Sequence, residues 1–478
     1  MSARWPNRAL GAPMLLALAA ACHSGPDTSA SARPRNVILM MADDLASNDL
    51  SCYGGRNIQT PHLDALAIGS LRLTDYYAGS AVCTPSRMAL LSGAYPARLG
   101  WRRGVLGYGF ASGTGMSTDV HTIAEAFQRA GYHTAMAGKW HLGDGDMRPE
   151  AQGFDSSLYI RMSNNQNRDM YRDGALVQKD WDNRTLTEAF AGEAVRVIEA
   201  ERDEPFFLYL PWSAPHFPAE PHPEWRGRSG DTRAARYKDV VEELDHRIGA
   251  LLRALERAGK ADDTIVVFTS DNGRQRGQQG ARPDPLYRGQ KWQSLEGGTR
   301  VPCLIRCPGA IAPGVSDQLV SAMDLFPTLA SACGVEIAPG QAAQRLDGMD
   351  LWSCLTDRTD AARRGRRELL YWHGQGAATA LRQGRWKLRF HADAQQPVDP
   401  PLASGPELYD LADDPQEQRD LAAEHPEQVA AMLHRARALL QGVYADQVPL
   451  GALPDAAPLP VRLTAREVWG PTLSADGR

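Results

Sequence analysis

An excess of positive charge is missing from this chain of 478 residues: 52 lysines and arginines stand against 57 aspartates and glutamates, a formal net charge of −5. Without a general basic field nucleic acid is not an expected partner, although local Arg and Lys clusters can still serve a small anion. Long apolar runs are missing too. The run Met14–Cys22 near the N-terminus is too short to cross a bilayer as a stable helix. Cysteine is sparse, seven in all, and no spacing among them suggests zinc. Cys303 and Cys307 fall on an apparent strand, where four residues span about 13 Å, so they cannot pair with each other. Cys52, Cys303, Cys307, Cys333 and Cys354 therefore read as buried structural thiols with at most one or two bridges among them. There is no internal repeat, and 43% apolar residues suffice for an ordinary globular core.

Arg4 and Arg8 ahead of the short apolar run mark residues 1–22 as an export signal. Cys22 stands where a lipoprotein carries its acceptor cysteine, but Ala19 occupies the position three before it, where Leu is usual. Lipidation of Cys22 and cleavage after Ala21 or nearby both stay open. Residues 23–35, rich in Ser, Pro and Ala, read as a flexible tether. The expected location is the periplasm or cell envelope, with membrane contact only through a lipid on Cys22.

Beyond the tether, short apolar runs alternate with helical periodicity. Asn36–Ala42 reads as a strand buried on both faces, ending in Asp43-Asp44. Thr60-Pro61 offers an N-cap and first turn for a helix to about Ser70, and Thr122 with Glu125 forms a capping box. Strands follow at 132–138, 205–210 and 264–270, with helices at 184–201 and 233–258 between them. This order predicts an α/β fold with a large, mostly parallel central sheet covered by helices on both faces. Residues 357–367 read as a charged linker. Beyond it, 368–372, 380–390 and 407–410 suggest a small antiparallel sheet and 428–443 a packed helix, giving a smaller C-terminal domain over 368–449 and an extended tail over 450–478.

Polar groups collect where the parallel strands end, the usual place for function in such a sheet. Asp43 and Asp44 follow the first strand, Lys139 and His141 the 132–138 strand, His216 the 205–210 strand, and Asp271 and Asn272 the 264–270 strand. Three carboxylates and an amide oxygen are hard ligands suited to Ca²⁺, with Mg²⁺ as the alternative. Arg87 lies four residues after Cys83 in Ala81-Val-Cys-Thr-Pro-Ser-Arg87, which on a starting helix puts both on one face. Trp292 could wall a pocket, and His373 could reach its rim from the small domain.

Cys83-Thr-Pro-Ser-Arg87, with Asp43-Asp44, Gly138-Lys-Trp-His-Leu-Gly143, Ala214-Pro-His-Phe-Pro218, Ser270-Asp-Asn-Gly273, Lys291, Glu296-Gly-Gly-Thr-Arg-Val-Pro302 and Glu407-Leu-Tyr-Asp-Leu411, resembles the sulfatase family of the alkaline phosphatase superfamily. The order also matches, over nearly the whole mature chain. The resemblance implies a catalytic domain over 36–356 that hydrolyses sulfate esters, releasing inorganic sulfate and an alcohol or phenol. It implies that a formylglycine-generating enzyme converts Cys83 to Cα-formylglycine, whose hydrate attacks sulfur. A metal would be held by Asp43, Asp44, Asp271, Asn272 and the modified Cys83. Arg87 and Lys139 would fix the nucleophile's oxygens, His141 would help deprotonate the hydrate, and His216 and Lys291 would bind sulfate and assist the leaving oxygen. The substrate would be a sulfated carbohydrate or an aryl sulfate. The loops over 100–108 and 161–168 resemble arylsulfatase-type segments near the substrate, which implies that Arg102, Asn164 and Asn165 would read substrate hydroxyls. Trp292 departs from the pattern, since many relatives carry a small residue after this lysine. A phosphonate or phosphate ester hydrolase of the same superfamily is the alternative; a noncatalytic binder of sulfate esters would fit only an unmodified Cys83.

Overall fold

The computed structural model describes residues 36–101, 104–107, 113–166, 169–275, 277, 286–337, 345–357, 368–374, 376–390, 402 and 405–452. The expected export signal, the tether, Cys22, Arg102 and the tail beyond 452 lie outside them. Asn36–Ala42 forms the centre of a ten-stranded sheet, paired in parallel with Thr264–Ser270 on one side and Phe206–Pro211 on the other. His133–Lys139 and Ser156–Ile160 continue the parallel core beyond Phe206–Pro211, and Met170–Arg172 and Ala175–Gln178 add antiparallel strands at that edge. On the other side Cys303–Arg306 runs antiparallel to both its neighbours, Thr264–Ser270 and Leu71–Leu73, and Gly314–Ser316 closes the edge in parallel with Leu71–Leu73.

The period of two in the central strand divides the core. Val37, Leu39 and Met41 enter one apolar layer, Ile38, Met40 and Ala42 the other, all fully buried. Helices Pro61–Ile68, Leu186–Glu199 and Arg233–Arg257 cover the second layer. Helices Cys83–Ser92, Ile123–Arg129, Leu325–Cys333 and Pro426–Ala445 cover the first; the last buries Met432, Ala436, Leu440 and Val443, one stripe at helical spacing. None of the described helices is long and apolar enough to cross a membrane.

The capping box is present: Glu125 N–H donates to Thr122 Oγ1 at 3.1 Å, and Thr122 N–H to Glu125 Oε2 at 2.8 Å. Thr60 does not cap its helix. Its hydroxyl is taken by Ser51, whose N–H donates to it at 3.0 Å, and the helix start is closed instead by Asp245, which accepts from His62 N–H and Leu63 N–H at 3.1 and 2.8 Å. A carboxylate from a distant helix outcompetes the local hydroxyl because it satisfies two orphan donors at once.

A second sheet, Glu368–Trp372, Ala378–Gln383, Trp386–Arg389 and Glu407–Asp410, is antiparallel in chain order. The expected 380–390 strand is thus two strands turning at Gly384, whose φ of 55° suits glycine. A buried ionic cluster fastens this sheet to the segment after Lys291. Lys387 Nζ lies 2.9 Å from Glu296 Oε1, 2.8 Å from Glu417 Oε1 and 2.9 Å from Ser294 O, and all three charged side chains are wholly buried. Glu296 also accepts from Tyr77 OH at 2.6 Å and Tyr371 OH at 2.9 Å. Burial alone would raise its pKa, but Lys387, then Arg300 and Arg382, hold it at about 2.

Candidate active site

The C-terminal ends of four parallel strands and the first turn of Cys83–Ser92 meet in one pocket. Cys83 begins the helix and Arg87 follows one turn later, so both face the strand ends. Cys83 Sγ donates to Asp43 Oδ1 at 3.4 Å, while Lys139 Nζ donates to Asp43 Oδ2 at 2.7 Å. Arg87 grips Asp271 Oδ2 through Nε at 3.1 Å and Nη2 at 2.7 Å, and its Nη1 donates to Lys139 O at 2.8 Å. Lys291 Nζ lies 2.7 Å from Asp44 Oδ1 and 2.9 Å from Oδ2. Asn272 Nδ2 donates to the same Oδ1 at 2.7 Å, and Asp44 N–H donates to Asp271 Oδ1 at 3.2 Å.

His216 stands beside Asp44, with Nε2 3.8 Å from Asp44 Oδ2. Its Nδ1 is 2.9 Å from Asn164 Oδ1, and Ser163 Oγ lies 3.2 Å from the same nitrogen. His141 Nε2 donates to Leu106 O at 3.0 Å, so in the neutral ring Nδ1 carries the lone pair; that atom is buried without a partner. Thr84 locks this corner, donating to His141 O and accepting from Leu106 N–H, both at 3.1 Å.

The backbone is strained where the chemistry collects. Six described non-glycine residues have positive φ, and Asp44 (68°), His141 (58°) and Trp292 (80°) are three of them. Gly138, just before Lys139, has φ of 148°, and a Cβ there would lie 1.9 Å from Pro211 O, so no other residue fits.

Burial sets the protonation. Desolvation would raise Asp43, but Lys139, then His216 and Arg87, hold it well below the usual carboxylate range. Asp271 is raised to about 6, by burial and then by the charge of Asp43. His216 falls to about 4 through burial and Lys291, and His141 falls well below its ordinary value through burial and Lys139. Burial and then Asp43 push the Cys83 thiol upward, so a free thiolate is disfavoured.

Arg87, Lys139 and Lys291 oppose Asp43, Asp44 and Asp271, three charges against three, all buried. A divalent cation would leave the pocket with an excess of positive charge, which suits an anionic ester. The donors fit a hard cation: three convergent carboxylates, and Asn272 Oδ1, a buried acceptor without a donor. Asp43, Asp44, Cys83 and His216 also present ligand atoms that all lie within 4.8 Å of one another.

The residues suggested for substrate contact scatter more widely. Asn164 is buried against His216, whereas Asn165 is exposed. Trp292 is half-buried; its N–H donates to Ala81 O at 2.8 Å and its ring lies against Gly374. His373 is fully buried, next to Trp372, whose carbonyl accepts from Ala81 N–H at 3.1 Å, two residues before Cys83. Ser163 was not singled out by its sequence position, and Thr84 and Glu296 stood only as members of quoted motifs, with no role of their own. Their partners lie 53, 57 and 91 residues away, and no local pattern announces them.

The sulfatase family model matches residues 35–335. The chain is 39% identical to human arylsulfatase A over 360 residues, covering 68% of each chain. It is 30% identical to the N-acetylgalactosamine-6-O-sulfatase of Bacteroides thetaiotaomicron over 489 residues, with 84% of this chain and 92% of that protein covered. A solved structure described under the metabolism of multiple glycosaminoglycans by Bacteroides thetaiotaomicron superposes with a TM-score of 0.74 at 28% identity, covering 85% of this chain and 99% of that one.

Proposed function

Because the chain belongs to the sulfatase family and is a sulfatase, we propose that it cleaves sulfate esters in the pocket around Cys83 after that residue has been converted to formylglycine. The observation that carries this reading is the placement of Cys83 Sγ against Asp43, inside a buried shell of three cations, three carboxylates and two histidines. As an aldehyde hydrate, residue 83 would offer one hydroxyl to sulfur and a second whose deprotonation allows sulfate to leave. A formylglycine-generating enzyme would supply that modification during maturation. Ca²⁺, or Mg²⁺ in its place, would be held by Asp43, Asp44, Asp271, Asn272 and residue 83, and would offset charge on the ester oxygens.

The chain's own groups divide the remaining work. Arg87, fixed by Asp271 and Lys139 O, and Lys139 itself hold position around residue 83 and keep its oxygens oriented. The lone pair on His141 Nδ1 is available to take the second hydroxyl's proton. Lys291 and His216, beside Asp44, bind sulfate and deliver a proton to the departing oxygen. Asn164, Asn165, Arg102, Trp292 and His373 would shape the site for the alcohol. The names of the relatives support a sulfated carbohydrate or an aryl sulfate as substrate. We further assign residues 36–356 to the catalytic domain and 368–449 to the smaller one, and place the protein outside the cytoplasm, in the periplasm or cell envelope, with lipidation of Cys22 and simple cleavage after Ala21 or nearby as the two alternatives for its N-terminus.

The test is direct. Protein co-produced with a converting enzyme is assayed against an aryl sulfate and a panel of sulfated mono- and disaccharides, and the Cys83 peptide is weighed. We expect loss of sulfur at residue 83 in active protein and essentially no turnover from Cys83→Ala or Cys83→Ser. Full activity from a homogeneous thiol form would overturn the mechanism.

A further inference from the structure

We propose that the chain in its encoded form, with Cys83 still a thiol, binds one zinc ion through Cys83 Sγ, His216 Nε2 and one oxygen each from Asp43 and Asp44. This set shares residues with the hard-cation site but differs from it in chemistry. A thiolate, an imidazole and two carboxylates suit zinc, whereas calcium takes oxygen alone. The inference goes beyond the proposed maturation, since it concerns the residue that the gene encodes.

Four observations carry it. First, the ligand atoms of these four buried residues lie within 4.8 Å of one another. Second, one of the separations already matches a tetrahedral site and another lies within about 0.5 Å of it, since zinc bonds of about 2.0–2.3 Å place a sulfur and an oxygen about 3.5 Å apart and a nitrogen and an oxygen about 3.3–3.5 Å apart. Cys83 Sγ to Asp43 Oδ1 is 3.4 Å, and His216 Nε2 to Asp44 Oδ2 is 3.8 Å. Closing the wider pairs needs about 1 Å of side-chain movement. Third, the required oxygens need not displace the lysines. Lys139 holds Asp43 through Oδ2 and leaves Oδ1 to the cluster, while Lys291 at 2.7 Å from Asp44 Oδ1 can keep that oxygen and release Oδ2.

The fourth concerns the tautomer of His216. Asn164 Nδ2 points at Pro218 O, 3.5 Å away, which turns Asn164 Oδ1 toward the ring, 2.9 Å from Nδ1. Nδ1 therefore carries the proton and Nε2 presents its lone pair to the carboxylates. Zinc-bound histidines are held in this way, with the second ring nitrogen donating to a fixed acceptor. On binding, zinc forms a bond to sulfur and the thiol proton leaves to solvent. Conversion of Cys83 removes the sulfur, and the remaining donors around residue 83 are those of a hard cation. The chemical state of residue 83 thus selects the metal.

The experiment uses the full chain made without a converting enzyme, its thiol state verified by mass, stripped of metal and titrated with Zn²⁺ against a chromophoric chelator and with Co²⁺ as a spectroscopic probe. We expect one zinc per chain that millimolar Ca²⁺ does not displace. With Co²⁺ we expect a thiolate-to-metal charge-transfer band and tetrahedral d–d absorption. Cys83→Ser should abolish the band and weaken zinc at least tenfold, and Asn164→Leu should keep the band while weakening zinc about 10–100-fold. Thermal unfolding and circular dichroism of each variant separate lost binding from lost folding. A Co²⁺ form without the charge-transfer band, or unchanged zinc affinity in Cys83→Ser, would overturn the proposal, because the cation would then sit on carboxylates alone. Neither result would touch calcium binding or turnover by the converted enzyme, which are measured separately.

Discussion

Replacing Lys387 with methionine should loosen the whole molecule. The side chain is wholly buried, and its ammonium is the shared cation for Glu296 Oε1 at 2.9 Å and Glu417 Oε1 at 2.8 Å. Methionine fills most of the volume, so the loss is electrostatic: two carboxylates would remain together in a low dielectric. Removing one partner of a buried pair costs about 3–5 kcal/mol. An unfolding entropy of about 2.1 cal/mol/K per residue, over roughly 400 ordered residues, turns that into a drop in Tm of about 3–6 °C. The loss should depend on pH with a definite sign. Glu296 in the native protein is held at about 2, below its unfolded value, so its contribution is present at neutral pH and is lost as the pH falls toward 2. Glu417 already lies above its unfolded value in the native protein, chiefly through burial, and without the Lys387 charge it is raised further, so the added penalty of the Lys387→Met protein is relieved as the pH falls. The gap between the two proteins should therefore narrow between about pH 7.5 and pH 5. Adding Glu417→Gln to Lys387→Met should recover about half of the loss, since only one carboxylate then needs a counter-charge. Calorimetry of the three proteins at both pH values decides it. A gap under about 1 kcal/mol at neutral pH, or one that does not narrow in acid, would refute the reasoning.

Exhaustive chelation should abolish turnover of the converted enzyme and Ca²⁺ should restore it, while Asp271→Ala should lose metal and activity together; normal turnover by rigorously metal-free protein would remove these ligands from the mechanism. His216→Ala or Lys291→Ala should slow cleavage of an alkyl sulfate by about 10²–10⁴-fold and an activated aryl sulfate much less, because a phenolate needs little protonation to leave. Equal losses on both substrates would assign these residues to sulfate binding alone. Gly374→Ala should disturb the pocket, since its Cβ would lie 2.3 Å from the Trp292 ring. The expected cost is about 1–3 kcal/mol of stability with a raised KM, and an unchanged Tm and KM would show that the ring yields freely.

Legibility differed by the range of the interaction. The strand Thr264–Ser270 and the helix Arg233–Arg257 stand where apolar runs and helical period put them, because local pattern decides both. Side chains at strand ends were legible for the same reason: once the strands are parallel, Asp43, Lys139, His216 and Asp271 must gather at one end of the sheet. The cap on Pro61–Ile68 was not legible, because Asp245 arrives from a helix more than 180 residues away. Of the four candidate zinc ligands, Asp43, Asp44 and Cys83 were already expected around a hard cation; the joining of His216 to them as a ligand was hidden, because positions 43, 44, 83 and 216 have no spacing that a metal-binding pattern would flag. The charge cluster on Lys387 was not legible, because Glu296 and Glu417 lie 121 residues apart and only the fold brings both to the lysine.

The contacts that close the pocket join positions far apart along the chain: 227 residues separate Asp44 from Asp271, 247 separate Asp44 from Lys291, and 292 separate Ser80 from Trp372. Arg98, just beyond the helix that carries Cys83, is in turn held by the carbonyl of Gly442 in the last helix. Each such contact closes a long loop, whose entropy is lost before the contact gives anything back. Helices and hairpins can form early from local sequence, but the pocket waits for nearly the entire polypeptide. In a refolding experiment, helical circular dichroism should therefore recover well before catalytic activity. A fragment ending ahead of residue 264 would lack the Asp271 strand and so could hold neither the cation nor the sulfate, however much secondary structure it retained.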